Sequence, residues 1–477
     1  MNDREHDDSQ NGSGDDALAE LQRLLNEMLS GGAPGGGAEG GFDPAAFAKA
    51  AGLPGDPAAL QGLFATLQSA MRNPSNEIDW SVARRIALDV AAQGPGAGDA
   101  AAVQRAFPVA ALWLDEATEV GATADSPRAL SRIEWVQQTI DTWIGLAEPV
   151  AESISRALTD ALSSQLPEQL QDALGGLAPM LRSVGGALFA TQLGQIIGKL
   201  SQEVVAGGDV GIPLFEGAGR EGGVLVPSGV AAFAEGLDQD SEAVTLYLAV
   251  RELAHARLFR HTRWLRLHLI TAITDYARGM RIDTMRIEEL ARDIDPADAE
   301  AMQQLVSSGA LIPPKTPEQE AAHERLETML ALIEGWVDAV TETAVSRLPG
   351  SEGIAEMVRR RRAVGGPAEH AFSTLVGLEL RPRRMREAAA LWRLLAERGG
   401  VERRDALWAH PDLLPTTEEL DHPARLLERL GLAGATPEAA PADDFDRALA
   451  ELLEGGLPQV DDGEDEDPRG PLQPPPV

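Results

Sequence analysis

The segment from Ser241 to Arg260 constrains the fold more than any other part of the sequence. Its apolar residues do not follow a single stripe but surround the helix that the segment predicts, from Val244 to Leu258. A helix that is apolar on all sides is stable in water only when other elements cover it. We therefore expect the chain to pack further structure around this central helix.

The covering elements are predicted to be mostly helices. Apolar residues make up 44% of the 477 residues but aromatic residues only 4%, so alanine, leucine and glycine supply the core. Such a composition favours packed helices over a β-sandwich. Two short apolar runs between glycines, residues 210–215 and 223–227, predict a small β element near 210–226, in the form of a hairpin. The expected fold class is mainly α.

Composition divides the chain into four parts. Residues 1–42 are acidic and then glycine-rich, and residues 454–477 are acidic and proline-rich, so both ends are predicted to be disordered. Residues 43–350 form the predicted helical core with the small β element, and residues 351–453 form a C-terminal helical part packed on it. The apolar segment 184–200 contains glycines and glutamines and predicts a closely packed core helix rather than a membrane span.

The charge and the absence of cysteine exclude several functions. A net charge of -34 argues against nucleic acids and anionic membranes, because both require a basic face. The run Arg359 to Arg362 is interpreted as a solvated helix end. Without cysteine there are no disulfides or thiolate zinc sites, and no secretory signal is visible, so a cytoplasmic location is expected. The expected partner is a protein or peptide, and the oligomeric state stays open.

Two polar residues interrupt the apolar surface of the central helix. Glu252 and His255 lie three residues apart on one face, where a carboxylate and an imidazole are unfavourable unless they are paired. One interpretation is a buried Glu–His pair in a core. The other follows from the sequence Arg251-Glu252-Leu253-Ala254-His255, which is the HExxH motif with its first position changed. In the intact motif both histidines bind zinc and the glutamate activates the metal-bound water.

A third metal ligand is expected on another helix. The predicted helix 323–345 carries Glu334, followed by Gly335, with Asp338 one turn further on. A glycine inside a helix is unfavourable, so Gly335 indicates the close approach of another backbone or group. A glutamate ligand with an aspartate that supports a ligand is the gluzincin arrangement. Glu334 is therefore the preferred third ligand, with Asp338 as its support.

Two histidines are weaker alternatives as ligands. His261 has the spacing of a metzincin ligand, but Leu258 occupies the position where that motif requires glycine. If the helix continues, the His261 side chain points about 120° away from that of His255. His268 lies on the following predicted helix and is the second alternative.

Residues 248–265, together with residues 333–338, resemble the zincin-like metallopeptidase family of actinobacteria. One branch of that family carries a label linking it to the biosynthesis of a deazaflavin coenzyme. The resemblance extends from about residue 80 to residue 430. It implies a zincin-like fold for the multi-helix core, a hydrolase activity, and zinc as the cofactor of active members.

The resemblance implies that Glu252 is the general base and that His255 and Glu334 are metal ligands. Arg251 departs from the family motif, because it removes one ligand and places a permanent cation beside the metal position. Without a metal, two carboxylates in a dry site require another cation or protons. We predict that the Arg251 guanidinium replaces the metal and lies within salt-bridge distance of Glu334, Glu252 or both.

Three functions remain open. The first and preferred one is a zincin-like metallopeptidase homologue that is weak or inactive as a hydrolase, needs no metal, and binds partners. The second is an active zinc-dependent metallopeptidase or hydrolase that completes its site with an unforeseen ligand. The third is a helical interaction scaffold in which the motif is incidental. Arg251 favours the first, because an arginine does not ligate zinc.

Overall fold

The computed structural model describes residues 77–94, 96–165, 168–215, 222–278, 315–365 and 381–433, together with positions 373 and 378. Within the helices, the side chains of residues 154–182 and 184 are not described. The ends 1–42 and 454–477, predicted to be disordered, lie outside the described residues.

The described part of the chain is mostly helical, which confirms the predicted fold class. Its helices are α1 (Ser81–Ala92), α2 (Ala100–Asp115), α3 (Arg132–Gln165), α4 (Glu168–Glu203), α5 (Pro227–Glu235), α6 (Ser241–His261), α7 (Arg263–Arg278), α8 (Pro317–Ala344), α9 (Ser351–Val364), α10 (Met385–Ala406), α11 (Thr417–Asp421) and α12 (Pro423–Arg429). Two 3₁₀ turns, Leu407–Ala409 and Pro411–Leu413, connect α10 to α11.

Helix α6 is the predicted central helix. The Asp240 side chain caps its first turn by accepting a hydrogen bond from the backbone N–H of Ala243. From Val244 to Leu258 nearly every side chain is buried, on all sides of the helix. Helices α2 and α8 pack against it most extensively, and α5, α7, α9 and the strand at Val224 also contact it. The prediction of a fully covered helix is confirmed.

The β element differs from the predicted hairpin. Strand β1 (Arg128–Ala129) pairs in parallel with β2 (Val224–Leu225), with Arg128 opposite Val224. The other edge of β2 is joined to the chain after α4, where Leu225 forms an antiparallel bridge with Ala206. The predicted hairpin between 210–215 and 223–227 is wrong. One edge of β2 pairs with Arg128–Ala129 and the other with Ala206, so neither edge pairs with residues 210–215.

Helix α8 meets α10 at Gly335. A Cβ atom on this glycine would lie 2.6 Å from the Cβ of Ala388 and 2.7 Å from the backbone nitrogen of Ala389. The predicted close approach at Gly335 is therefore confirmed, and its partner is a neighbouring helix rather than a ligand. This packing, supported by a 2.9 Å hydrogen bond from the Trp392 indole to the carbonyl of Leu332, fixes the neighbouring Glu334 against α6.

Helix α4 packs closely on α1 through its glycines, as the sequence predicts. A Cβ atom on Gly194 would lie 2.6 Å from the carbonyl oxygen of Ala83, and one on Gly198 would lie 2.5 Å from the Cβ of Val90. Only residues without a Cβ allow this separation. Among the helices that the structure describes, none has the length and apolar character that a membrane span requires.

Candidate functional site

Glu334 is the centre of a buried ionic cluster between α6, α8 and α9. Its side chain has no exposed surface, and both of its carboxylate oxygens accept hydrogen bonds. Nη2 of Arg251, from α6, donates to Oε2. Nη2 of Arg362, from α9, donates to Oε1 at 2.9 Å, and Nε2 of His255 lies 3.2 Å from the same oxygen. The predicted ion pair between Arg251 and Glu334 is confirmed.

The charges in this cluster support one another. Burial alone would raise the pKa of Glu334, but Arg362, Arg251 and His255 outweigh it and hold the pKa well below its usual range. Burial also opposes the charged form of Arg251, yet the Glu334 carboxylate raises its pKa. Burial lowers the pKa of His255, against the opposing effect of Glu334. The cluster therefore holds an ionised glutamate, two guanidinium ions and a neutral imidazole at pH 7.

Both ring nitrogens of His255 face acceptor oxygens, although a neutral imidazole carries one proton and donates to only one of them. An ionised carboxylate only accepts hydrogen bonds, so the Nε2 that faces Glu334 carries the imidazole proton. Nδ1 lies 3.2 Å from the backbone carbonyl of Arg251, one turn earlier. In this arrangement the nitrogen directed at Glu334 is a hydrogen-bond donor.

Glu252 is held separately from this cluster. Its Oε1 accepts a hydrogen bond from the backbone N–H of Val224 at 2.7 Å, and its Oε2 accepts one from Gly208 at 2.8 Å. Burial raises the pKa of Glu252 to about 8 in spite of these two bonds. The sequence predicts that the Arg251 guanidinium pairs with Glu334, Glu252 or both. In the structure it pairs with Glu334 and not with Glu252.

A glycine-rich loop, residues 207–211, lies directly on these side chains. A Cβ atom on Gly207 would come within 2.7 Å of the Glu252 Oε1, and one on Gly208 within 2.6 Å of the His255 Cγ. Gly211 has a φ of +71°, in the left-handed region that favours glycine. The sequence pattern predicts a strand from residue 210, inside this loop, whereas the closely spaced glycines indicate the close approach of another group to the backbone.

The arginine run on α9 is not the solvated helix end that the sequence suggested. Arg362 is 5% exposed, and three of the four arginines pair with carboxylates far away in the sequence. These pairs are Arg359 with Asp338 at 2.9 Å, Arg361 with Asp209 at 3.3 Å, and Arg362 with Glu334 at 2.9 Å. The earlier interpretation is wrong because α9 packs on α6 and α8 with this face inward. Arg362 is thus a site residue that the sequence analysis missed.

The remaining candidates lie outside the buried cluster. Asp338, expected to support a metal ligand, accepts hydrogen bonds from Nε and Nη2 of Arg359. His261 is exposed at the last residue of α6. His268 is half-buried and packs edge-on against the Trp264 ring. The structure therefore brings neither alternative histidine to His255.

A cleft of about 420 Å³ lies beside the cluster. Glu252 and His255 line its inner end, and the chain from Ile212 to Phe215 forms an apolar wall. The Phe259 ring stacks on the His255 imidazole, with 6.2 Å between the ring centroids. The cleft thus gives a ligand access to the altered motif.

The residues present do not fit a zinc ion. In the described ranges, no group of three or more histidine, aspartate or glutamate side chains is arranged to hold a metal ion. Both oxygens of Glu334 are engaged by guanidinium groups, and Nε2 of His255 is directed at Glu334. Arg251 and Arg362 are permanent cations without lone pairs, so the charge and the chemistry of the groups around Glu334 both oppose the binding of a divalent cation.

The sequence profile of the zincin-like metallopeptidase family matches residues 78–427. The chain belongs to the zincin-like metallopeptidase family. It is also similar to a solved structure from Chloroflexus aurantiacus described as a "putative hydrolase with a novel fold", at 20% sequence identity and a TM-score of 0.48, covering 74% of this chain and 99% of that one. No protein with a curated description matches the chain. In this member of the family, the altered motif lies on α6, inside the matched region.

Proposed function

We propose that this zincin-like metallopeptidase homologue does not hydrolyse peptides and that it binds a protein or peptide partner in the cleft beside His255. One observation carries the proposal: two guanidinium ions, from Arg251 and Arg362, are bound to the buried carboxylate of Glu334. In an active relative, as the family resemblance implies, that carboxylate would bind zinc.

The two arginines replace the metal both electrostatically and sterically. A fully buried carboxylate requires a compensating charge, and here two permanent cations provide it. Arg362 is further fixed by donating to the backbone carbonyl of Asp209, in the glycine-rich loop. An arginine keeps its proton at any physiological pH and offers no lone pair, so this arrangement does not convert to a metal site by deprotonation.

Glu252 also lacks the properties of a general base. A general base must be ionised and must be free to accept a proton from water or substrate. Both oxygens of Glu252 accept backbone hydrogen bonds, and its pKa of about 8 favours the protonated form at neutral pH. These contacts support a role in fixing the glycine-rich loop rather than in catalysis.

The cleft beside His255 is the feature of the site that supports a binding function. A concave site with an apolar wall and a few convergent polar groups is typical of ligand-binding sites. Its volume of about 420 Å³ suits a short peptide segment better than a whole folded surface. The binding of a peptide without its cleavage is therefore the function that the site supports best.

Elemental analysis combined with a peptidase assay tests the proposal. We expect purified protein to contain far less than one zinc ion per chain, and to show no cleavage of a peptide mixture with or without added zinc. The active-hydrolase alternative makes the opposite prediction. Stoichiometric zinc, together with cleavage that disappears in His255→Ala, would overturn the proposal.

A further inference from the structure

The cleft beside His255 is lined by positive charge although the chain as a whole is strongly acidic. Arg260, Arg263 and Arg266 all line it, in a chain with a net charge of -34. Among the described residues that line the cleft, Glu252 is the single carboxylate, and it lies at the buried inner end. The formal charge of the described lining residues is therefore positive, whereas the net charge of the chain is negative.

The three arginines come from the junction of two helices. Arg260 is in the last turn of α6, and Arg263 is the first residue of α7. Arg266 follows three residues later, on the same face of α7 as Arg263. Arg263 is exposed, whereas Arg260 and Arg266 are half-buried. The junction thus contributes three arginines to the lining of the cleft.

The cleft also has apolar lining residues. Ile212, Leu214 and Phe215 line the cleft, as does Phe259. Ile212 and Leu214 are buried, and the two phenylalanines are partly exposed. A ligand that suits this cleft combines anionic groups for the arginines with apolar groups for the wall.

We propose that the cleft binds an acidic peptide segment, in which a carboxylate pairs with the exposed Arg263 and neighbouring apolar side chains contact Phe215 and Phe259. This inference rests on the proposed function and specifies the partner's chemistry. Guanidinium groups match carboxylates through two parallel hydrogen bonds. A nucleic acid also carries anions, but the acidity of the rest of the chain repels a long polyanion, whereas a short peptide reaches only the cleft.

Fluorescence anisotropy with the full chain tests the inference. The probe is a fluorescein-labelled, C-terminally amidated peptide of alternating glutamate and leucine, compared with the same peptide carrying glutamine or lysine in place of glutamate. We expect the glutamate peptide to bind at least about tenfold more tightly than the other two, with an affinity that falls as salt rises. Arg263→Glu should weaken its binding by about tenfold.

Arg105→Glu is the matched control, because Arg105 is an exposed arginine on α2 and does not line the cleft. This variant should leave the affinity for the glutamate peptide unchanged. The inference is overturned if glutamate and glutamine peptides bind equally, if none binds, or if Arg263→Glu has no larger effect than Arg105→Glu. It is also overturned if inorganic phosphate displaces the peptide more effectively than sodium chloride of equal ionic strength, since the site would then select phosphate.

The outcomes separate this inference from the proposed function. Protein that contains zinc and cleaves peptides, but binds the glutamate peptide through Arg263, refutes only the proposed lack of activity. Protein that contains no zinc and shows no charge-dependent peptide binding refutes only the acidic-peptide inference.

Discussion

Replacing Arg251 by histidine restores the HExxH sequence, and the structure predicts that this change alone does not restore zinc binding. The Arg362 guanidinium would remain 2.9 Å from Oε1 of Glu334 and would repel a divalent ion. Arg251→His also removes one of two cations from a fully buried carboxylate. Loss of a buried pair costs about 3–5 kcal/mol, and because Arg362 stays, we expect the free energy of unfolding to fall by an amount near the lower end, about 3 kcal/mol.

The decisive variant is therefore Arg251→His combined with Arg362→Met, which leaves Glu334 without a permanent cation and supplies a second imidazole. Thermal unfolding with and without zinc measures the result. Zinc at about 100 times its dissociation constant adds about 2.7 kcal/mol, which corresponds to a rise in Tm on the order of 5 °C. We expect this rise in the double variant, and no rise in Arg251→His or in the wild-type protein.

Arg251→Gln combined with Arg362→Met is the matched control, since it removes the same two charges without adding an imidazole. Zinc should not raise its Tm. A zinc-dependent rise in Arg251→His alone, equal to that of the double variant, would refute the reasoning, because it would show that Arg362 does not block the metal position.

Three further predictions follow from the same site. Gly208→Ala should lower the free energy of unfolding by about 1–3 kcal/mol, because its Cβ would meet the His255 ring; Gly236→Ala, where the nearest atom is 3.7 Å away, should change it little in the same chemical denaturation assay. Glu334→Gln should destabilise the protein at pH 7. The depressed pKa of Glu334 stabilises the fold above the unfolded-state pKa, and this contribution is lost as the pH falls, so urea titrations should show the difference shrinking below about pH 4. For Glu252 the sign is opposite: its pKa is raised to about 8, so the stability that it contributes is lost as the pH rises from about 4.5 through 8. Glu252→Gln should therefore flatten the stability profile between about pH 5 and pH 8.

The sequence predicts those residues of the site whose role follows from patterns that are local in the sequence. The position of Glu252 and His255 follows from their spacing on an all-apolar helix, and Glu334 follows from the family resemblance. The ion pair of Arg251 with Glu334 follows from charge balance, because a buried carboxylate without a metal requires a cation. Each of these arguments needs only a short window of sequence and a general rule.

Arg362 was missed because its environment depends on how α9 packs. Four consecutive arginines predict a solvent-exposed segment, and no residue near them in the sequence supplies a carboxylate for Arg362. A signal was nevertheless present, since Ile354, Val358 and Arg362 are spaced by four residues and all are buried in the structure. An arginine that continues an apolar stripe was the clue. The parallel pairing of β2 with β1 has no such local signal, because a short strand does not specify its partner.

The position of Arg362 late in the chain also has a consequence for the order in which the buried cluster forms. Arg251 and Glu334 precede Arg362 in the chain, so the second cation is the last residue of the cluster to be synthesised. The site is complete only after α9 has docked and Arg362 has reached both Glu334 and the carbonyl of Asp209. The last helix to contribute to the cluster therefore couples the folding of the C-terminal part to the completion of the buried ionic cluster.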